Sequence, residues 1–242
     1  MNRIARFITV LIIATALASS FMPDGSYGYD NTSLDINSFK ASNIQVLGST
    51  DYGNVIKSGP YGNPNGTQKV AVIVGVHPLE RDSHRAMISS LLSLNKSLNS
   101  SYYIYSIHVT KDRKSYNDGR MNGQLLASRF VVSDIKQNNF DLVVDVHSNR
   151  GENFLEKLFI FVPSEDSKSI STASNLIAQI PWLVYYVPPR ESGPTSPSYV
   201  TMPVINSGTP AVIYEAYRYD HYFTTVKHAV DFIKAVDKLK LS

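Results

Sequence analysis

The 242-residue chain contains no cysteine. Disulfides, thiolate zinc sites and a cysteine nucleophile are therefore excluded. A chain of this length can bury one substantial core and needs no covalent staples. Net charge is scarce as well: the formal value is +3, and it falls to +1 if Arg3 and Arg6 are removed with the N-terminal segment. That balance gives no electrostatic case for nucleic acid or an acidic polymer as partner. No Gly-x-Ser-x-Gly turn occurs, which disfavours a serine hydrolase. Membrane-length apolar runs are missing too. The uncharged run Phe7–Ala18 (FITVLIIATALA) has twelve residues, where roughly 20 are needed to span a bilayer.

That short run has another meaning. Arg3 and Arg6 precede it, and Ala16-Leu17-Ala18 at its end is a small-x-small cleavage pattern, the layout of a secretory signal. An uncleaved anchor reaching Met22 is the alternative. Residues 1–22 are thus expected to be a signal peptide or N-terminal anchor, placing the body of the protein outside the cytoplasm, secreted or in the cell envelope. Residues 23–42 are polar and turn-rich and read as a flexible spacer. Residues 43–242 are the expected folded domain.

From residue 43 onward, apolar runs alternate with helical patterns. Strands are expected near Ile44–Leu47, Asn54–Lys57, Lys69–Val76, Tyr102–Val109, Leu142–Val146, Leu158–Val162, Val184–Val187 and Ala211–Tyr214. Met87, Leu91, Leu94 and Leu98 recur on one face of an amphipathic helix. Further helices are expected over 122–137, 169–180 and 222–239, the last with Val226, Val230, Ile233 and Val236 or Leu239 inward. Stretches 59–66 (GPYGNPNG) and 188–197 (PPRESGPTSP) read as loops. Continuous apolar strands alternating with helices predict an α/β fold, a largely parallel sheet covered on both faces. In such sheets, sites form at the carboxyl ends of the strands.

Three apolar strands end in ionisable residues. Lys69–Val76 runs into His77, with Glu80 three residues on. Leu142–Val146 runs into His147, and Ala211–Tyr214 into Glu215. A buried strand end is a poor place for such groups unless something binds them. Two imidazoles and a carboxylate are the ligand set of a catalytic zinc site with a fourth position left for water. A further carboxylate close to the metal serves a hydrolase as general base. Asp145, two residues before His147, can share its strand face and hold the imidazole's other nitrogen, fixing the tautomer.

GVHPLE (75–80), DVHSN (145–149) and IYEAY (213–217), in that order, resemble the zinc carboxypeptidase superfamily, which includes the succinylglutamate desuccinylase and aspartoacylase branch. The resemblance spans about residues 68–220. It implies a three-layer α/β/α sandwich around a mixed, largely parallel sheet of about eight strands, and zinc-dependent amide hydrolysis beside a free carboxylate. Carried onto this chain, it implies one zinc ion held by His77, Glu80 and His147, with Glu215 as general base and Ser148 as the serine following the last ligand. The family also uses arginines between the second and third ligands, for the oxyanion and for the substrate carboxylate. DRKSYNDGRMNG (112–123) offers Arg113, Asn117 and Arg120. Arg120 ranks first, because the glycine beside it suggests close backbone approach. The family's Asn-Arg pair is absent there; Asn149-Arg150 is such a pair, but it follows His147. Tyr199, sixteen residues before Glu215 and just after a Pro/Gly loop, matches the family's mobile substrate-binding tyrosine.

The expected activity is an exported zinc metallopeptidase, a carboxypeptidase acting on peptides or peptide-like amides such as those of the cell wall. An N-acyl amino acid deacylase and a non-catalytic peptide-binding descendant are the alternatives. Export disfavours the first, and the presence of all four site residues disfavours the second.

Overall fold

The computed structural model describes residues 43–152, 154–189 and 195–241. The expected signal or anchor (1–22) and spacer (23–42) lie outside the described residues. Among the described residues, no helix is long and apolar enough to cross a membrane.

The described strands are β1 Ile44–Thr50, β2 Gly53–Gly62, β3 Lys69–Val74, β4 Ser101–Val109, β5 Leu142–Asn149, β6 Phe159–Phe161, β7 Val184–Tyr185 and β8 Ala211–Tyr217. They form one eight-stranded sheet in the order β1-β2-β4-β3-β5-β8-β6-β7. β4, β3, β5 and β8 run parallel through its centre, while β1, β2 and β6 join antiparallel. The central strands are apolar without alternation because both faces are covered: Val70–Val74 and Leu142–Val144 are all buried.

Handedness decides which helix covers which face. The chain leaves β3 for β4 in one direction and then leaves β4 for β5 in the other. Right-handed crossovers put the two connections on opposite faces. One connection is α1, Arg81–Leu94, which packs with the closing helix α7, Tyr222–Asp237, and with α4, Ser167–Ile177, against α7. The other is α2, Tyr116–Leu126, continued through the π-turn Ala127–Val131 into α3, Val132–Gln137. The short helices α5, Ser196–Tyr199, and α6, Thr201–Ile205, pack against that run. The result is a three-layer α/β/α sandwich.

Several boundaries differ from the sequence reading, each for a local reason. The stretch 59–66 is not wholly a loop, since β2 pairs with β4 as far as Gly62, and a register shift between Ser58 and Tyr61 absorbs Gly59 and Pro60. The second helical run starts at Tyr116, six residues before the predicted start. Ser115 caps it by accepting the Asp118 N–H. The helices α5 and α6 occupy residues not read as helical. On α7, Thr225, Ala229, Phe232, Ile233 and Val236 are buried, whereas Val226 and Val230 are only half-buried, so the inward face is turned by about one position. β5 and β8 each extend three residues past their predicted ends. His147 and Glu215 are therefore inside the sheet, not in the loops beyond it.

Candidate metal centre

β3 ends at Val74, and the chain then turns sharply at Gly75, which has φ +90°. A β-carbon there would lie 2.2 Å from the Ile107 carbonyl oxygen, so only glycine fits. After the turn, the Glu80 N–H donates to the His77 carbonyl at 3.0 Å, and Glu80 occupies the N-cap position of α1. One short turn thereby delivers an imidazole and a carboxylate to the same place. From the opposite side α2 presses on this turn: a β-carbon on Gly123 would lie 2.0 Å from the Val76 carbonyl oxygen.

His147 arrives from β5, the strand beside β3. Ligand atoms of His77, Glu80 and His147 all lie within 4.8 Å of one another, and all three residues are buried. His77 Nδ1 is 2.9 Å from Glu80 Oε1, His147 Nδ1 is 3.0 Å from Glu80 Oε2, and the two Nδ1 atoms are 2.9 Å apart. Arg120 and the Ser148 N–H keep Glu80 ionised, and with an ionised Glu80 no placement of the imidazole hydrogens satisfies these three contacts at once. If only His147 carries hydrogen on Nδ1, the His77 lone pair faces a carboxylate oxygen. If only His77 does, the His147 lone pair faces one. If both do, two N–H groups point at each other. A divalent cation resolves all three contacts together, and two imidazoles with one carboxylate are a donor set for such a metal.

The surrounding groups hold these atoms in place. His147 Nε2 is 3.0 Å from Asp145 Oδ1, and Thr201 Oγ1 donates to Asp145 Oδ2 at 3.0 Å. The Asp145 charge beside Nε2 favours the hydrogen on that nitrogen, which leaves a neutral His147 with its lone pair on Nδ1. The Ser148 N–H donates to Glu80 Oε2 at 3.0 Å, and Arg120 Nη1 to Glu80 Oε1 at 3.0 Å. His84, one turn along α1 from Glu80, lies 3.1 Å through Nε2 from the Val146 carbonyl oxygen and ties α1 to β5. Gln124, fully buried on α2, places its amide 3.2 Å from His77 Nε2 and 2.7 Å from Thr195 Oγ1. Ser196 Oγ is 3.5 Å from His147 Nε2.

Glu215 is the register partner of His147 on β8, so both side chains stand on one face of the sheet. Its carboxylate is buried and its Oε2 has no hydrogen-bond partner. Burial pushes Glu215 up to about 8, with His147 pulling down and Glu80 pushing up. Burial also holds His77 down to about 4, against the attraction of Glu80. Burial disfavours a charged His147 too, but Asp145 and then Glu80 outweigh it and raise this imidazole well above its ordinary value. Glu80, although buried, is held well below the ordinary carboxylate range by the two imidazoles.

The structure thus brings His77, Glu80, His147, Asp145, Glu215 and Arg120 together. Arg113 sits half-buried in the turn before α2, and Asn117 is exposed on the first turn of that helix. Neither is hydrogen-bonded to the cluster, although Asn117, Arg120 and Gln124 share one helix face. Tyr199 closes α5, one turn from Ser196, and is half-buried. Arg120 and Arg150 both lie over the ring of Tyr116, at 4.9 Å and 5.7 Å from its centre. Sequence reasoning missed His84, Gln124, Thr195, Ser196 and Thr201. Only His84 had a signal, its four-residue helical spacing from Glu80.

Asp145→Asn keeps the shape but removes the charge behind His147. Metal affinity should fall about tenfold, the low end of the 10- to 100-fold range for such partners. Chelator competition measures it.

No family model matches this chain, and no curated protein does either. Solved structures do. A metallo-carboxypeptidase from Burkholderia cenocepacia matches with a TM-score of 0.53 at 12% identity, over 81% of this chain and 63% of that one. A metallo-carboxypeptidase from Pseudomonas aeruginosa, solved with (2-guanidinoethylmercapto)succinic acid, matches with a TM-score of 0.53 at 14% identity, over 80% and 64%. The cell shape determinant protein Csd4 of Helicobacter pylori matches with a TM-score of 0.50 at 14% identity, over 76% and 53%. The chain spans less than two thirds of the length of each. At these identities the likeness is one of architecture: the chain has the fold of the metallo-carboxypeptidases.

Proposed function

We propose that the chain is a zinc-dependent hydrolase of peptide or peptide-like amides, acting beside a free carboxylate outside the cytoplasm. One observation carries the reading: two imidazoles converge on an ionised carboxylate with no arrangement of their hydrogens that satisfies all three contacts, next to a buried carboxylate with an unpartnered oxygen. His77, Glu80 and His147 would hold one zinc ion, which supplies Lewis acidity toward a water and the amide carbonyl. Glu215 accepts the proton of the attacking water and passes it to the leaving amine. Asp145 and Thr201 keep His147 oriented. Arg120 brings a guanidinium against Glu80, where it can meet developing negative charge, and with Arg150 it makes the rim around Tyr116 cationic. A guanidinium is the natural clamp for a substrate carboxylate.

Peptides with free and amidated C-termini test this on the zinc-loaded protein. Amidation should remove most of the activity. Arg120→Ala should cost similarly on the free acid and little on the amide, because the partner charge is already gone. Zinc content measured alongside separates loss of the clamp from disturbance of Glu80. Arg113→Ala and Arg150→Ala are the comparison variants. Equal cleavage of both substrates would overturn the exopeptidase reading in favour of an endo-acting hydrolase.

A further inference from the structure

We propose that Gln124 is the positioning residue of His77, setting by the orientation of its amide which ring nitrogen carries the hydrogen. The inference rests on the metal-site reading above and concerns a residue that the ligand pattern does not include. His147 has a carboxylate behind it, Asp145 at 3.0 Å. His77 has none: the group facing its Nε2 is the neutral amide of Gln124, at 3.2 Å.

A primary amide presents either an N–H or an oxygen, depending on a half-turn about its last torsion. With nitrogen toward His77, the amide donates to Nε2. The ring hydrogen must then sit on Nδ1, 2.9 Å from Glu80 Oε1, where it bonds the carboxylate and blocks ligation. With oxygen toward His77, the amide accepts the hydrogen on Nε2, and Nδ1 turns its lone pair into the cluster. Thr195 Oγ1, 2.7 Å from the same amide atom, fits both states, because a hydroxyl accepts from nitrogen or donates to oxygen. The other amide atom, Oε1, is buried without a partner, so neither orientation is locked by a competing bond. Gly123, pressed on Val76, fixes the helix so that Gln124 cannot back away. The metal-free and metal-bound forms of His77 are thereby both served by one side chain, at the cost of weaker support for the ligating form than a carboxylate would give.

Full-length wild type, Gln124→Leu and Gln124→Glu, titrated with zinc against a chromophoric chelator at neutral pH, test this. Leucine cannot accept the Nε2 hydrogen, so zinc affinity should fall about 10- to 100-fold. Glutamate can accept it and cannot donate, so its affinity should equal or exceed that of wild type. Thermal unfolding of the three metal-free proteins separates a packing defect, which would lower the melting temperature without this split in affinity. Wild-type affinity in Gln124→Leu would overturn the proposal, and so would equal weakening in Gln124→Leu and Gln124→Glu. A wild type that takes up no zinc would overturn the metal-site reading itself, a result visible before any substitution is made.

Discussion

Replacing both His77 and His147 with alanine should leave a folded protein that holds no zinc. In the proposed site the two residues are two of the three protein ligands, and Glu80 alone cannot retain a divalent ion against a chelator. Metal analysis of the purified protein should give about one equivalent for wild type and close to none for the double variant. The fold should survive because the strands that carry these residues are held by their apolar neighbours: Val70–Val74 and Leu142–Val144 are buried whether or not a metal is present. Circular dichroism should therefore show native secondary structure. Near-stoichiometric zinc in the double variant would refute the ligand assignment.

Glu215→Gln should separate binding from chemistry. The amide has the same size, but it cannot take a proton from water. Zinc should stay, while turnover falls by about 10²- to 10⁴-fold. Loss of zinc in this variant would instead make Glu215 a ligand. The same substitution has a signature in the metal-free protein. Burial raises Glu215 from the ordinary 4.5 to about 8, so the folded state favours the neutral acid. That stabilisation is complete below the ordinary value and is lost as pH rises toward 8. Glutamine stays neutral throughout. In the presence of chelator, the unfolding free energy of Glu215→Gln, measured by denaturant titration, should therefore gain on that of wild type between pH 5 and 8, by an amount on the order of a few kcal/mol at most.

Much of this site was legible in the sequence because it is built from local patterns. His77 and Glu80 lie three residues apart on one turn, and Asp145 and His147 share a strand face because side chains alternate with a period of two. Unbroken runs such as Val70–Val74 gave away strands buried on both faces, and with them the layered fold. Glycines in the stretch 112–123 hid the start of α2, because the residues that look like breakers, Gly119 and Gly123, are there for close packing against Asp112, Pro78 and Val76.

What only the tertiary structure decided is which groups stand behind the candidate ligands. Strand order puts β5 between β3 and β8, which brings His77, His147 and Glu215 into one cluster from positions 70 and 68 residues apart. Gln124 and Thr201 come from helices on the face opposite α1, and neither residue type nor spacing marks them in advance. Arg120 was a candidate for substrate; its distance of 3.0 Å from Glu80 was visible only once α2 had been laid over the turn at residues 77–80. The physical reason is the range of the interactions. Periodicity and turn chemistry act over a few residues and can be read along the chain, whereas hydrogen bonds around a buried site depend on which elements the sheet order and crossover handedness set side by side.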